Sequence, residues 1–300
     1  MTETTPDRMP CPELITGSAP RLHPEGVTYA AAHDAFLVGS VTHGTVSVVE
    51  PGGTVRTLVD DPALITTMGL AVDATRGRLL VVNADIGFGD RSTAGSVDKT
   101  AGLGSYDVHS GQRIACHDLA ALDPGRRHRG NDVTTTDDGT TFVTDSFSGA
   151  IYRVPLDGEP SVLLRDDRLM PAGNGNGANG IVSHPGGFLL VAQSAGRALY
   201  KLAGGTLTRV AVDTDIGAPD GLLLDGDGAL HAVDNSAANR VVTLRSGDGW
   251  ATASVAASRP WPDPAPTTMT HSPCGIYVLS GRLDQLPNGT ELFLRRLPDG

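Results

Sequence analysis

Residues 179–194 read NGIVSHPGGFLLVAQS. A polar residue and a glycine open the stretch. An apolar run follows, HPGG turns the chain, and a second and more hydrophobic run returns. Two short runs rich in Val, Ile and Leu around a Gly-Pro turn predict an antiparallel hairpin. The same pattern recurs along the chain. Glu25-Gly26 leads VTYAA and AFLVGS, Met68-Gly69 leads LAVD and RLLVVNAD, and Asn131-Asp132 leads VTTTDDG and TTFVTDS. Asp220-Gly221 leads LLLDGDG and ALHAVDN, and a weaker copy opens at Thr268-Met269 with THSPCG and IYVLSG.

The copies start at residues 25, 68, 131, 179, 220 and 268. Such intervals match the roughly 40–50 residues of a four-stranded propeller blade. The interval from 68 to 131 is longer and must hold an insertion. Third strands follow as TVSVVE, LGSYDV, AIYRVP, ALYKLA, RVVTLR and ELFLRRL, and the first five copies continue into a fourth. The last copy runs out after its third strand, while ELITGS near the start is unassigned. A strand from one end that completes the blade of the other closes a ring and removes its exposed edge. The expectation is an all-β, six-bladed β-propeller with an N-terminal strand closing the last blade. It spans residues 1–300 as one domain, with 1–11 a disordered tail. Residues 85–101 (DIGFGDRSTAGSVDKTA) form an inserted loop over the active face, and 166–178 a second one on that face.

Composition agrees. Gly 38 and Pro 20 in 300 residues mean many turns, and 4% aromatics leave the core to aliphatic residues that suit strands. A net charge of −11 repels phosphate backbones and argues against nucleic-acid partners. The first residues carry acids and prolines, and no apolar run reaches the length of a membrane span. The expected partner is a small-molecule substrate and the expected location cytoplasmic. Three cysteines without a CxxC pair read as idle thiols, with a Cys11–Cys274 bridge left open.

The innermost strand of each blade lines the axis, so the residue that opens it faces the channel mouth. Those residues are Glu25, Met68, Asn131, Asn179, Asp220 and Thr268. Glu25, Asn131, Asn179 and Asp220 offer two carboxylates and two amides, with no nitrogen or sulfur donor among them. That is a site for a hard cation, and Ca2+ takes mixed carboxylate and amide oxygens readily. Singly, each of the four is an ordinary turn residue. Their shared register in four repeats is what carries the metal reading.

The ordered set Glu25, Arg129-Gly130-Asn131-Asp132, Asn179-Gly180 and Pro219-Asp220-Gly221 resembles the senescence-marker-protein/gluconolactonase family, also called regucalcin-like. Paraoxonase and diisopropyl fluorophosphatase are related in fold. The resemblance spans about Leu14 to Leu297 and implies a Ca2+-dependent hydrolase of a lactone or related ester. It implies that Glu25, Asn131, Asn179 and Asp220 hold the metal. It also implies that Asp220, Asn131 and Arg129 act in catalysis, Arg129 by holding substrate oxygens. The chain departs from the pattern in Met68, where paraoxonases carry a catalytic histidine, and in the 85–101 insertion. Those departures, and a likeness to strictosidine-synthase-like propellers, keep two alternatives open. One is a metal-dependent cyclase, isomerase or condensing enzyme of specialised metabolism. The other is a calcium-binding scaffold without catalysis.

Other signals are weaker. Gly175-x-Gly177-x-x-Gly180 matches a dinucleotide fingerprint but precedes a strand, so it fails the context that motif needs. His43, His128 and His271 are placed near the mouth. Asp145 and Asp234-Asn235 end second strands on the same face, as orienting groups, bases or caps. No GxSxG occurs, so a serine triad has no support.

Overall fold

The computed structural model describes residues 11–171, 173 and 175–298. Among them the chain is almost wholly β, with three one-turn 3-10 segments and no α-helix. The pairing resolves into six antiparallel meanders of four strands. Blades 2 and 3 are counted as one sheet only because His128-Arg129 pairs in parallel with Lys99-Thr100 at their junction. The innermost strands are Val27–Ala30, Thr66–Asp73, His128–Thr135, Ala178–His184, Pro219–Leu224 and Pro266–Ser272. The strand Leu14–Ser18 pairs antiparallel with Glu291–Arg296, so the first strand of the chain completes blade 6, as the sequence leads one to expect.

The hydrophobic core shows why the ring closes. It falls into six clusters, each at the junction of two neighbouring blades. The junction of blades 6 and 1 is filled by Ile15, Val27, Phe36, Val38, Tyr277 and Leu294. A single blade is a twisted sheet with two apolar faces, and only a cycle of blades covers every face.

A second regularity sets up the mouth. In five blades the pairing of the innermost strand with the next shifts register, between Thr67 and Leu70, Gly130 and Val133, Ala178 and Ile181, Pro219 and Leu222, and Pro266 and Thr268. A bulge bends its strand and re-aims a side chain. Four of these fall on the pair that opens the repeat, Met68-Gly69, Asn131-Asp132, Asn179-Gly180 and Asp220-Gly221, and the one in blade 6 falls just before it, at Thr267. The glycine is needed for blade-to-blade approach. A Cβ on Gly26 would lie 2.1 Å from the Met68 carbonyl oxygen, and one on Gly180 2.3 Å from that of Asp220.

Three expectations need correction. Cys11 and Cys274 are joined by a disulfide, with Cα atoms 5.4 Å apart, and only Cys116 is free. The pairing follows from the closure: docking of the first strand on blade 6 brings Cys11 to the turn between Ser272 and Gly275. The inserted loop covers residues 85–98, because Lys99–Asp107 is a strand and Ala101 already pairs with Ala84. Met68 does not face the mouth but packs in the core between blades 2 and 3. Of the proposed tail, residues 1–10 lie outside the described residues. No helix among the described residues is long and apolar enough to cross a membrane.

Candidate metal centre

Glu25, Asn131, Asn179 and Asp220 all stand at the channel end of their blades, and all four are buried. Glu25, Asn131 and Asn179 line, with Asp132 and Thr268, a central channel of about 230 Å3. Asp220 belongs to the same group, because its charge acts on Glu25. The walls below mix apolar residues, Leu70, Val133, Ile181 and Leu222, with the threonines Thr28, Thr134, Thr135 and Thr270.

Three of the four donors are held by one repeating device. The residue 15 positions later, just after the second strand of the same blade, holds each of them. Asn131 Nδ2 donates to Ser146 Oγ at 3.0 Å, and Asn179 Nδ2 donates to Ser194 Oγ at 2.9 Å. Asn235 Nδ2 donates to Asp220 Oδ2. The serines pass the interaction on: Ser146 Oγ donates to the Ala178 carbonyl and Ser194 Oγ to that of Pro219, each in the next blade. With its NH2 held by Ser146, Asn131 keeps its oxygen free, while the Asn179 amide also donates to the Asp220 carboxyl. Asn131 Oδ1 is buried without any partner. A buried acceptor left unmade costs free energy and calls for an explanation, of which an ion is one.

The charges point the same way. Burial raises the carboxyl of Glu25 well above the usual range, and the charges of Asp220 and Asp132 raise it further. Burial lifts Asp220 to about 7 against the opposing hydrogen bonds from Asn179 and Asn235, and Asp132 to about 6. Three carboxyls share a narrow channel without a basic partner, an arrangement a divalent cation relieves. Among the described residues no three His, Cys, Asp or Glu side chains gather closely enough to hold an ion alone. The donor set therefore depends on its amides and fits Ca2+ better than Zn2+.

Asp132 is the residue that reading the sequence overlooked. It occupies the position of the conserved-looking glycine of the repeat, and there it reads as a turn former. In the fold its Oδ1 accepts from its neighbour Val133 N and its Oδ2 from Ile181 N, and the carboxyl faces the axis. Ser146 and Ser194 were overlooked too, although the constant 15-residue offset would have found them.

Arg129 lies beside this set but its guanidinium is engaged. Nη2 donates to Asp98 Oδ1 at 2.9 Å, Nη1 donates to Asn176 Oδ1 at 3.0 Å, and the plane stacks 4.0 Å from the Phe147 ring centroid. Among the histidines, His43 contacts Asp90 and the Pro20 carbonyl. His271 sits beside the hairpin at the opposite end of its strand, pairing with Ile276, and so is not at the mouth. His128 is fully enclosed, with Nδ1 2.7 Å from Asp145 Oδ2 and Nε2 2.9 Å from the Asp123 carbonyl oxygen. Asp145 also accepts from the backbone NH groups of Arg129, Phe147 and Ser148, and Asp234 from those of Ala218 and Ser236. Both aspartates organise the loops after their strands.

No family model and no curated protein sequence matches the chain. Solved structures do. The major allergen Mala s 1 of Malassezia sympodialis superposes with a TM-score of 0.76 at 17% identity, over 96% of each chain. A gluconolactonase of Xanthomonas campestris gives 0.63 at 20% identity, over 94% of this chain and 89% of that one. Virginiamycin B lyase of Staphylococcus aureus gives 0.59 at 11% identity, over 95% and 99%. At such identities the likeness is one of fold, and the chain is accordingly a β-propeller of the kind on which that lactonase and that lyase are also built.

Proposed function

We propose that the protein is a Ca2+-dependent hydrolase of a lactone or related ester. Glu25, Asn131, Asn179 and Asp220 would hold the ion. The observation that carries this reading is the buried, unpartnered Asn131 Oδ1 in one ring with the Glu25 and Asp220 carboxyls. When bound, Ca2+ supplies Lewis-acid polarisation of the ester carbonyl and stabilises the oxyanion that forms. Asp220 takes the proton of the attacking water and returns it to the alkoxide oxygen that departs as the acyl–oxygen bond breaks, and Asn235 holds its Oδ2 so that the carboxyl keeps one orientation. Asn131 and Asn179, fixed through Ser146 and Ser194, would each offer an amide oxygen to the ion.

The fold likeness to a gluconolactonase supports the reaction class. A lactone panel assayed with calcium and with chelator tests it: turnover with Ca2+ that chelator abolishes is expected, and no opening of any lactone or ester under any divalent metal refutes it. The fold likeness to a lyase favours a second reading, in which the same donors guide a cyclisation, isomerisation or condensation. Turnover in 18O-water separates the two, since hydrolysis places the label in the product. Calcium binding without turnover of any substrate class would leave a scaffold.

A further inference from the structure

We infer that Arg129 is a positioning residue that pins the two long mouth loops together and thereby sets the distance between the Asn131 and Asn179 donors. This rests on the calcium reading above for its consequence, not for its geometry.

Arg129 stands two positions before Asn131 on the same strand. Its Nη1 reaches Asn176, three positions before Asn179, in the Gly-rich segment that leads into blade 4. Its Nη2 reaches Asp98, the last residue of the 85–98 insertion. One planar, rigid fork therefore ties the approach to each asparagine to the other, and both to the insertion. Phe147 closes the back of the fork, with Arg127 also 4.2 Å from its centroid and paired with the other oxygen of Asp98. The side chain is mostly enclosed, and its backbone is clamped by Asp145 at the end of the neighbouring strand and by Ser146 just after it.

The insertion is a fixed strap. Asp85 Oδ1 accepts from Gly87 N and Ser92 Oγ, and its Oδ2 from Ser96 Oγ, which folds the strap on itself. Asp90 pairs with Arg21 and His43 of the blade 1 side, and Arg91 donates to the carbonyls of Gly44, Asp61 and Leu64. Anchored on blades 1 and 2, the strap offers Asp98 as an immobile acceptor. Each terminal NH2 group of Arg129 thus donates inside the protein, and its Nε is buried without a partner.

The test measures calcium affinity by titration calorimetry and hydrogen exchange of peptides covering 85–98 and 175–182, on the intact protein. Arg129→Ala and Asp98→Asn are expected to speed exchange in both segments and to weaken calcium binding roughly tenfold or more, the usual cost of losing a group that orients a ligand. Arg129→Lys, able to reach one acceptor but not both, should recover part of the affinity. It also guards against an alanine variant that fails to fold. Unchanged exchange in Arg129→Ala overturns the pin, whatever the metal does. Unchanged calcium affinity with a raised KM overturns it in favour of a substrate-binding arginine. If the wild-type protein binds no calcium, the calcium reading fails alone, and the exchange result still decides the pin.

Discussion

At the scale of the residue, Glu25 separates metal affinity from stability. Burial and the neighbouring Asp220 and Asp132 raise its carboxyl, so its charge is a cost in the metal-free protein. Glu25→Gln is expected to raise the Tm of the chelated protein while lowering calcium affinity roughly tenfold or more, because ligand charge sets affinity. Melting curves with and without calcium check both signs, and a variant that loses Tm in chelator contradicts the account. Asn131→Ala lacks the orphan oxygen and should lose affinity with no gain in stability. That Glu25, Asn131, Asn179 and Asp220 converge at the channel was legible in the sequence because each opens a copy of one repeat. Asp132 was not, since Asp and Gly are interchangeable as turn formers and only the bulge shows which way the side chain is aimed. The fate of Met68 was equally hidden: its position in the repeat is that of a donor, and apolar packing between blades 2 and 3 turned it inward.

Among elements, the first and second strands of blade 3 are joined by a buried ion pair with a definite pH signature. Both ring nitrogens of His128 face acceptors, Asp145 and the Asp123 carbonyl, contacts that favour the protonated ring with both N–H groups donating. Burial opposes that charge, but the hydrogen bond and charge of Asp145 outweigh it and hold the imidazole above its ordinary 6.5. A group whose pKa rises on folding stabilises fully below its unfolded value and loses that contribution as pH rises through the folded one. Stability should therefore decline as pH rises above about 6.5, and His128→Gln should flatten that decline. Urea midpoints across pH measure it; a variant with the wild-type slope contradicts the assignment. The sequence indicated that His128 lies near the mouth, but its spatial partner Asp145 is 17 residues away and only the paired strands bring them together. The insertion was legible as an insertion, and its rigidity was not, since that depends on contacts with blade 1.

For the whole molecule, six blades and their closure were readable because the repeat is periodic and the last copy visibly lacks a strand. The staple across the closure was not decided by three unpatterned cysteines. It joins positions 263 apart and ties the closing strand to the blade it completes. Loops of that order cost an unfolded chain about 5–6 kcal/mol in closure entropy, so reduction should lower Tm by on the order of 10 °C. Cys11→Ser should show the lower Tm without reductant and no response to it. Thiol titration of the unreduced, denatured protein should find one free thiol, Cys116. Three free thiols would refute the bridge. Bridges of this kind persist in oxidising compartments, which sets this feature against the cytoplasmic location the composition suggested.

The most direct test is a crystal structure of the protein grown with calcium. The account predicts one ion on the axis, bound by oxygens of Glu25, Asn131, Asn179 and Asp220. Density for an ion elsewhere, or a channel mouth holding only water at saturating calcium, would contradict it.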